Sequence, residues 1–368
     1  MKQSFYTLTA AIFLVLCTAC TQADIVLPVG GEDGSGQGNG DDPDKGGPLA
    51  VSNVRLSLEV ESKSVVTGEP TKGTKNPNPL KKIAVCVARS TSSGKRFYDS
   101  ANPVQIFTYN TSLSAWEQTE PVSPLYLYTE KGQGFVYAPT DAGLVVQENP
   151  FRFKGVIVKA AQTFRFHDIA PVDPATDVPW DTDQHDYLYG KGGDVDRWNP
   201  GLSLAMSHIL AKVSFRVMET NSGTLYQGSK IAKVELKSAG NGFKTSTEVY
   251  MDPVSGGIGG VTIPTGTLAF TADPAMQRAI GSGTANAATV PVQAFGLVLP
   301  VSGFQATLSL TLDDGYIFTA ATPFTVNWNR GNNYLYTVKL SPKGIVISKP
   351  QVTGWVDETI PDPNIPVE

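Results

Sequence analysis

From residue 53 to residue 61 the chain reads NVRLSLEVE. Apolar and polar side chains alternate through this stretch, and a period of two predicts a β-strand with one buried face. The predicted buried face consists of Val54, Leu56, Leu58 and Val60. A polar loop follows at residues 61–79. The next apolar run, Ile83 to Val87, is continuous, which predicts a strand covered on both faces.

Similar short runs recur along the rest of the chain. They occur at residues 104–109, 125–128, 134–138, 155–158, 209–218, 232–236, 306–312, 334–340 and 345–347. The chain holds 36 glycines and 26 prolines among 368 residues, a composition that favours many turns. An aperiodic, Asp- and Pro-rich segment precedes Gly201, where we place a domain boundary. The sequence therefore predicts an all-β fold with two tandem β-sandwich domains, residues 53–200 and 201–357, and a Pro-rich tail at 358–368.

The N-terminus has the pattern of an exported protein. Residues 1–19 predict a signal peptide, because Lys2 precedes an apolar run too short to span a bilayer. The run ends in a sequence that resembles a bacterial lipobox, with Ala19 before Cys20, the expected lipid attachment site. A plain signal peptide cut nearby is the alternative. Residues 20–52 include a Gly- and Asp-rich stretch whose composition predicts a flexible tether.

Charge and motif content argue against several functions. The chain has 29 Lys and Arg against 34 Asp and Glu, a formal net charge of −5, which does not favour nucleic acid as a partner. The spacing of His167, His185 and His208 matches no zinc signature, and we find no phosphate-binding loop or nucleophile elbow. Cys86 lies in an apolar run, where a buried, unreactive thiol is expected. We therefore predict no enzyme activity, no metal and no cofactor.

One acidic and aromatic segment, Asp173 to Trp198, suggests a different function. Besides His185, Trp180 and Trp198 it contains Asp177, Asp181, Asp183, Asp186, Asp194 and Asp196. Paired carboxylates near aromatic rings are typical of glycoside hydrolase and sugar-binding sites. A solvated connection between domains explains the same residues, because Asp is a common loop former. The sequence leaves calcium or sugar binding at this segment open.

Four stretches together resemble a known family, the fimbrillin-like pilins, which are subunits of type V pili in anaerobic Gram-negative bacteria. The stretches are Lys82-Ile83-Ala84-Val85 with Trp116 and Val136-Tyr137-Ala138-Pro139; Tyr187-Leu188-Tyr189-Gly190; Met206-Ser207-His208-Ile209-Leu210-Ala211-Lys212-Val213; and Asn327-Trp328-Asn329-Arg330-Gly331-Asn332-Asn333-Tyr334-Leu335-Tyr336. Their order and spacing carry the resemblance, which runs from about Asn53 to Trp355.

The resemblance implies two tandem transthyretin-like Greek-key sandwiches and export as an outer-membrane lipoprotein of the cell surface. It further implies that a trypsin-like extracellular protease removes the N-terminal strand, and that subunits then polymerise by strand exchange into adhesive filaments. The expected partners are other pilin subunits, the protease, the outer membrane and a receptor on a host or bacterial surface. A glycan-binding lipoprotein and a non-polymerising tip or anchor adhesin are the alternatives.

Candidate residues can be assigned to each step of this scheme. The alternating strand at Val54 to Val60 can be excised by one cut in the loop that follows it. That loop contains no arginine, so the candidate cleavage sites are Lys63, Lys72 and Lys75, with Arg55 inside the strand itself. The candidate donor strand is residues 344–356, which presents Ile345, Ile347, Val352 and Trp355. Pro350 interrupts this donor and is expected to divide it into two short strands.

Overall fold

The computed structural model describes residues 45–56, 82–92, 94–110, 112–113, 115–138, 140, 145–166, 180–220, 225–226, 228–260, 262–285 and 290–354. Within these residues the only helical element is the three-residue 3-10 turn Pro274–Met276. The remaining regular structure is β-strand, which confirms the predicted all-β fold.

The strands are numbered in chain order. They are β1 (Ala50–Leu56), β2 (Lys82–Thr91), β3 (Gly94–Phe97), β4 (Gln105–Asn110), β5 (Ala115–Glu120), β6 (Gly132–Ala138), β7 (Val145–Gln147), β8 (Arg152–Val158), β9 (Ala161–Phe166), β10 (Trp180–Thr182), β11 (Leu188–Val195), β12 (Gly201–His208), β13 (Ala211–Glu219), β14 (Ile231–Lys237), β15 (Phe243–Met251), β16 (Ile258–Gly259), β17 (Ile263–Thr265), β18 (Thr267–Ala272), β19 (Ala294–Val298), β20 (Val301–Leu312), β21 (Ile317–Thr319), β22 (Phe324–Trp328), β23 (Asn332–Ser341), β24 (Gly344–Ile347) and β25 (Gln351–Gly354).

The first sheet curls around its own apolar core. Its strand order is β1-β12-β11-β6-β2-β4-β5, and β3 adds to β2. The two end strands, β1 and β5, lie against each other. The enclosed core contains Leu49, Val51, Val54, Ile83, Val85, Val87, Phe107, Trp116, Leu125, Leu127, Val136, Ala138, Leu188, Val195, Leu202, Leu204 and Met206. The N-terminal residues of the described chain are therefore part of this core.

Strand β2 shows how this sheet joins the rest of the protein. Ile83 and Val85 point into the core of the first sheet, whereas Ala84 and Cys86 belong to a second, larger core. All four are fully buried. This is the arrangement that the continuous apolar run predicts, because a strand covered on both faces has no polar side to present.

Three further sheets share the larger core. Their strand orders are β10-β9-β18-β14-β20-β21 with β22 on β20, β19-β13-β23-β24 with β25 on β23, and β16-β15-β8-β7 with β17 on β15. The aromatic rings of Phe153, Phe215, Phe243, Phe270, Phe295 and Trp328 fill this core. Because strands from different sheets face one interior, their apolar faces are removed from water together.

The sheet pairing does not follow the boundary predicted near Gly201. Gly201 begins β12, which pairs with β11 and β1 inside the first sheet. In addition, β8 and β9 precede this position but pair with β15 and β18, which follow it. The last described strand of the first sheet is β12, and Ile209 and Leu210 connect it to β13. The tandem-domain division stays a prediction.

Candidate assembly site

The N-terminal strand occupies one end of the first sheet. β1 runs parallel to β12 in a register that places Val54 opposite Leu204 and Arg55 opposite Ala205. The side chain of Val54 is fully buried. Removal of β1 would therefore uncover the backbone groups of β12 and an apolar groove beside it.

The residues before β1 pair with residues 125–127, the segment that precedes β6. We call Lys45–Leu49 the N-terminal clasp. The amide of Gly46 donates to the carbonyl of Leu127 at 2.7 Å, and the amide of Leu49 donates to the carbonyl of Leu125 at 2.7 Å. In return, the amide of Leu127 donates to the carbonyl of Gly47 at 3.2 Å. The clasp is thus paired antiparallel to the segment before β6, whereas β1 is parallel to β12.

These contacts correct the end of the predicted tether. The tether was expected to extend to residue 52, but Ala50 to Ser52 belong to β1 and the clasp precedes them. Leu49 and Val51 are 4% and 6% exposed, so the burial of the strand begins before Val54. The ladder is irregular between Val51 and Asn53, where the register with β12 passes over Ser52 and only the Ser52 hydroxyl donates to it, to the Leu202 carbonyl at 3.0 Å. This irregularity puts the buried residues Leu49 and Val51 out of step with Val54, which is buried as the sequence predicts.

The structure places only part of the predicted site. Arg55 and Leu56 lie in the ladder with β12. The lipidation candidate, two residues of the excised strand and the other cleavage candidates lie outside the described residues: Cys20, Leu58, Val60, Lys63, Lys72 and Lys75. Because the backbone of Arg55 is paired, a protease would have to separate β1 from β12 before it could cut there.

The candidate donor forms two short strands on β23. β24 pairs with the end of β23, β25 pairs with its beginning, and Ser348 to Pro350 separate them. Ile345 is 5% exposed and packs into the larger core, whereas Val346 and Val352 are 66% and 53% exposed. Trp355 lies outside the described residues. The donor is therefore docked on its own subunit, with apolar side chains on the outside.

The motif at residues 327–336 joins the first sheet to the larger core. The indole Nε1 of Trp328 donates to the hydroxyl of Tyr336 at 3.0 Å, and the amide of Gly331 donates to the carbonyl of Leu210 at 2.8 Å. Gly331 has a φ of +68°, a conformation that glycine adopts without strain. Burial raises the pKa of Tyr336 to about 12, against a smaller opposing effect of the Trp328 hydrogen bond. These residues fix the turn beside the Ile209–Leu210 connection.

Arg330 in the same motif bridges three elements. Its guanidinium donates to the carbonyls of Gly256 and, at 3.0 Å, of Ser255, in the turn after β15. It also lies over the ring of Tyr189 in β11, with 5.6 Å between the guanidinium carbon and the ring centroid. Three of the four stretches that carry the family resemblance, residues 187–190, 206–213 and 327–336, thus lie close together where β12 leads into β13. The sequence marks these residues but not their contact with one another.

Polar interactions at this junction include a buried carboxylate and imidazole. His208 Nδ1 and Asp186 Oδ2 are 2.8 Å apart, and their side chains are 4% and 0% exposed. His208 ends β12, and Asp186 precedes β11. The hydrogen bond holds the two strand ends together and keeps a buried carboxylate paired.

The described part of the acidic segment is held mainly by internal contacts. Asp183 accepts from the Thr163 amide at 2.7 Å and pairs with the Lys159 ammonium at 3.1 Å. Burial disfavours the ionised form of Asp196, but the amides of Asn199 and Trp198 outweigh it and lower the pKa of this carboxyl. Within the ranges that the structure describes, no cluster of His, Cys, Asp and Glu has metal-binding geometry. These contacts give Asp183 and Asp196 structural roles.

Trp198 differs from Trp116 and Trp328 in its exposure. Trp116 and Trp328 are 7% and 1% exposed, as expected for core residues, but Trp198 is 65% exposed. The Arg197 guanidinium lies 5.4 Å from the Trp198 ring centroid. An exposed ring on a loop fixed by Asp196 is available for contact with a partner.

The cysteine at position 86 is fully buried in β2. Burial, and to a smaller extent the charge of Glu148, raises the pKa of its thiol above the ordinary value. A thiol that stays protonated is a poor nucleophile. The geometry therefore agrees with a structural role for Cys86.

As for membrane insertion, the described residues include no helix of the length and apolarity needed to cross a bilayer.

Comparison with known families identifies the class of protein. The fimbrillin-like family profile matches residues 81–355, about three quarters of the chain, and this chain belongs to that family. Membership of the fimbrillin-like family supports a fimbrial or adhesive role at the cell surface. No curated protein sequence matched the chain significantly.

Solved structures of distant relatives cover most of the chain. A fimbrial protein from Bacteroides vulgatus is 11% identical, with a TM-score of 0.49, and the match covers 84% of this chain and 99% of that protein. A candidate cell adhesion protein from Bacteroides uniformis is 17% identical, with a TM-score of 0.48 and coverage of 84% and 98%. The tip fimbrial protein Mfa3 from Porphyromonas gingivalis, with a C-terminal truncation, is 13% identical, with a TM-score of 0.38 and coverage of 76% and 95%.

Proposed function

We propose that this chain is a structural fimbrial subunit that polymerises by strand exchange after its N-terminal strand has been cut from the body. The main support is the position of residues 45–56. They lie at one end of a sheet, bury three aliphatic side chains, and are followed by the polar, lysine-bearing sequence at 61–79. A cut there would leave an apolar groove bordered by backbone groups that need partners.

The energy of the groove favours filling it. Burial of the Leu49, Val51 and Val54 side chains stabilises the protein by roughly 1.5–3 kcal/mol each. The total is about 5–9 kcal/mol before the entropy cost of ordering the strand. An empty groove is unfavourable by a similar amount. A donor strand from a second subunit that restores these contacts therefore has a strong driving force, and residues 344–356 are our candidate donor.

Export completes the scheme. We propose that Cys20 carries the lipid and anchors the precursor in the outer membrane, and that a trypsin-like extracellular protease cuts after Lys72 or Lys75, with Lys63 and Arg55 as further candidates. The filament would then contact a receptor on a host or bacterial surface. Subunits of this kind need no catalytic site, metal or cofactor for assembly.

The experiment is electron microscopy of the precursor before and after trypsin treatment. Uncut protein should stay monomeric, and cut protein should form filaments. Arg55→Gln with Lys63→Gln, Lys72→Gln and Lys75→Gln should prevent both the cut and the filaments, whereas a variant that keeps Arg55 and has Lys63→Arg, Lys72→Arg and Lys75→Arg should keep both. If cut protein stays monomeric, polymerisation fails as a function and the tip or anchor role gains support.

A second candidate function rests on Trp198. Its exposed ring, fixed on the loop between β11 and β12, suits stacking against a sugar, and this would make the protein a glycan-binding surface lipoprotein. Glycan-array binding that is lost in Trp198→Ala and kept in Trp198→Phe would support it. Equal binding by all three proteins would exclude Trp198 as the contact.

A further inference from the structure

We propose a specific register for the exchange: residues 343–354 of a second copy replace residues 45–56, each donor residue taking the place of the residue 298 positions before it. This inference rests on the proposed strand exchange and adds which residue enters which position. In this register the donor runs parallel to β12, as β1 does. Two stretches of one chain would then be alternative occupants of the same groove.

The clasp position of Gly46 accepts only glycine. A Cβ atom there would lie 2.2 Å from Cβ and 2.6 Å from Cα of Arg197, and 2.9 Å from the carbonyl oxygen of Leu127. Two of these atoms belong to the backbone, so a side chain cannot be accommodated by a rotamer change. The donor residue that falls on this position is Gly344.

The neighbours of Gly46 agree with the same register. A Cβ at Gly47 would meet no atom within 4 Å, so the donor's Ile345 has open space there. On the other side, the Lys45 ammonium lies 3.9 Å from the ring centroid of Tyr126, and the matching donor residue is Lys343. A lysine can keep this cation–π contact.

The buried apolar positions also match. Leu49 and Val54 fill the groove at 4% and 0% exposure. Their donor counterparts are Ile347 and Val352, which have the same spacing and similar side-chain volumes. Aliphatic exchanges of this kind usually change stability by less than about 1.5 kcal/mol in a packed site.

Pro350 falls on the position that tolerates it. Ser52 is the irregular residue of β1: the register with β12 passes over it, and its exposed side chain donates only a hydroxyl hydrogen bond, to the Leu202 carbonyl at 3.0 Å, which proline would lose. Proline cannot donate a ladder hydrogen bond and is found in sheets at edges and bulges. The proline that makes residues 344–356 a poor regular strand therefore suits this groove.

Neighbouring registers are worse. A shift of two residues in one direction places Val346 on Gly46, where there is no room, and a shift of two in the other direction places Pro350 on Val54, a regular ladder position. A shift of one residue turns every side chain to the opposite face. One mismatch remains in the proposed register: Lys349 falls on Val51, which is 6% exposed.

Disulfide cross-linking tests the register. The acceptor is the trypsin-cut full-length protein with Ala205→Cys, because Ala205 lies opposite Arg55 and is not fully buried. The probe is a synthetic peptide of residues 343–356 with Thr353→Cys, the residue that takes the place of Arg55. Control peptides carry Gln351→Cys or Trp355→Cys, which would reach Ala205→Cys only after a two-residue shift. Mass spectrometry identifies the linked pair, and we expect it with Thr353→Cys.

Peptide affinity gives an independent test, because peptides separate donor effects from folding of the monomer. Gly344→Ala in the peptide should weaken binding about tenfold or more, since its Cβ has no space. Lys349→Val should strengthen binding about tenfold, because it restores the apolar contact of Val51. The readout is the fluorescence anisotropy of the labelled peptide on cut protein.

The outcomes separate the register from strand exchange itself. Linking through Gln351→Cys or Trp355→Cys, or unchanged affinity of the Gly344→Ala peptide, overturns the register and leaves strand exchange intact. If the unmodified peptide neither binds cut protein nor displaces the N-terminal fragment, the proposed exchange into this groove fails as well.

Discussion

The carboxylate of Asp186 meets the imidazole of His208 at 2.8 Å in the protein interior. This contact joins the start of β11 to the end of β12, the strand that would receive a donor. It lies two residues from the Leu210 carbonyl, which holds the Gly331 turn. The strand that borders the groove is therefore fixed at its far end by a buried polar pair.

Loss of this pair should destabilise the whole fold. Asp186→Ala leaves the buried imidazole nitrogen without its hydrogen-bond partner, and an unsatisfied buried polar group costs about 1–3 kcal/mol. Urea unfolding followed by circular dichroism measures the change. The control is Asp194→Ala, at an exposed position, which should stay within about 0.5 kcal/mol of the parent. Equal stability of both variants would contradict this structural role.

The N-terminal strand should loosen when its buried valine is replaced. Val54→Asp places a charge in the apolar core and should release β1 from β12 without a cut. We expect faster trypsin cleavage at Arg55 and faster amide exchange in β12, measured by mass spectrometry. Ala50→Asp serves as the control because Ala50 is exposed in the same strand. Identical cleavage rates for the two variants would show that Val54 does not hold the strand.

Charge on the outer face of the donor should stop growth and leave the monomer folded. Val352→Asp alters a half-exposed position, so its melting temperature should stay close to that of the parent, while cut protein should no longer form filaments. Ile345→Asp, by contrast, introduces a charge into the larger core and should destabilise the monomer itself. Filaments of cut Val352→Asp protein at the parent rate would argue against residues 344–356 as donor.

Stability should fall in strongly alkaline solution because of Tyr336. Its folded pKa is raised to about 12 from an ordinary value of 10, so the neutral hydroxyl is favoured in the folded state. The resulting stability is fully present below pH 10 and is lost as the pH rises from about 10 to about 12. Tyr336→Phe cannot ionise and should show a smaller loss over this range in unfolding experiments, although it also loses the Trp328 hydrogen bond. Parallel pH profiles would contradict the assignment.

Much of the fold follows from periodicity. The continuous run at Ile83 to Val87 predicts a strand buried on both faces, and Pro350 predicts two short strands at the C-terminal end, which are β24 and β25. Both signals are local. The apolar run determines the burial of its own strand, and the missing N–H of Pro350 interrupts the hydrogen bonding of its own strand. Pairing between strands far apart in the sequence carries no such local signal.

The N-terminal clasp shows where local signals fail. Gly46 to Pro48 have the composition of a linker, yet their backbone pairs with residues near Leu127. Backbone hydrogen bonds do not depend on side-chain type, so this pairing is invisible in the composition. The irregularity at Ser52 likewise interrupts the alternation, and the buried set therefore begins at Leu49 rather than at Val54.

The two-residue connection at Ile209 and Leu210 has a mechanical consequence for the proposed filament. It links β12, which would hold a neighbour's donor, to β13, which lies in parallel with the β23 strand that carries the subunit's own donor. Both residues are fully buried, and no loop separates the two strands. A pulling force applied where one neighbouring subunit is bound would pass along paired strands to the contact with the next subunit, because no flexible loop lies between β12 and β13. We therefore expect each subunit to transmit tension along the filament with little extension.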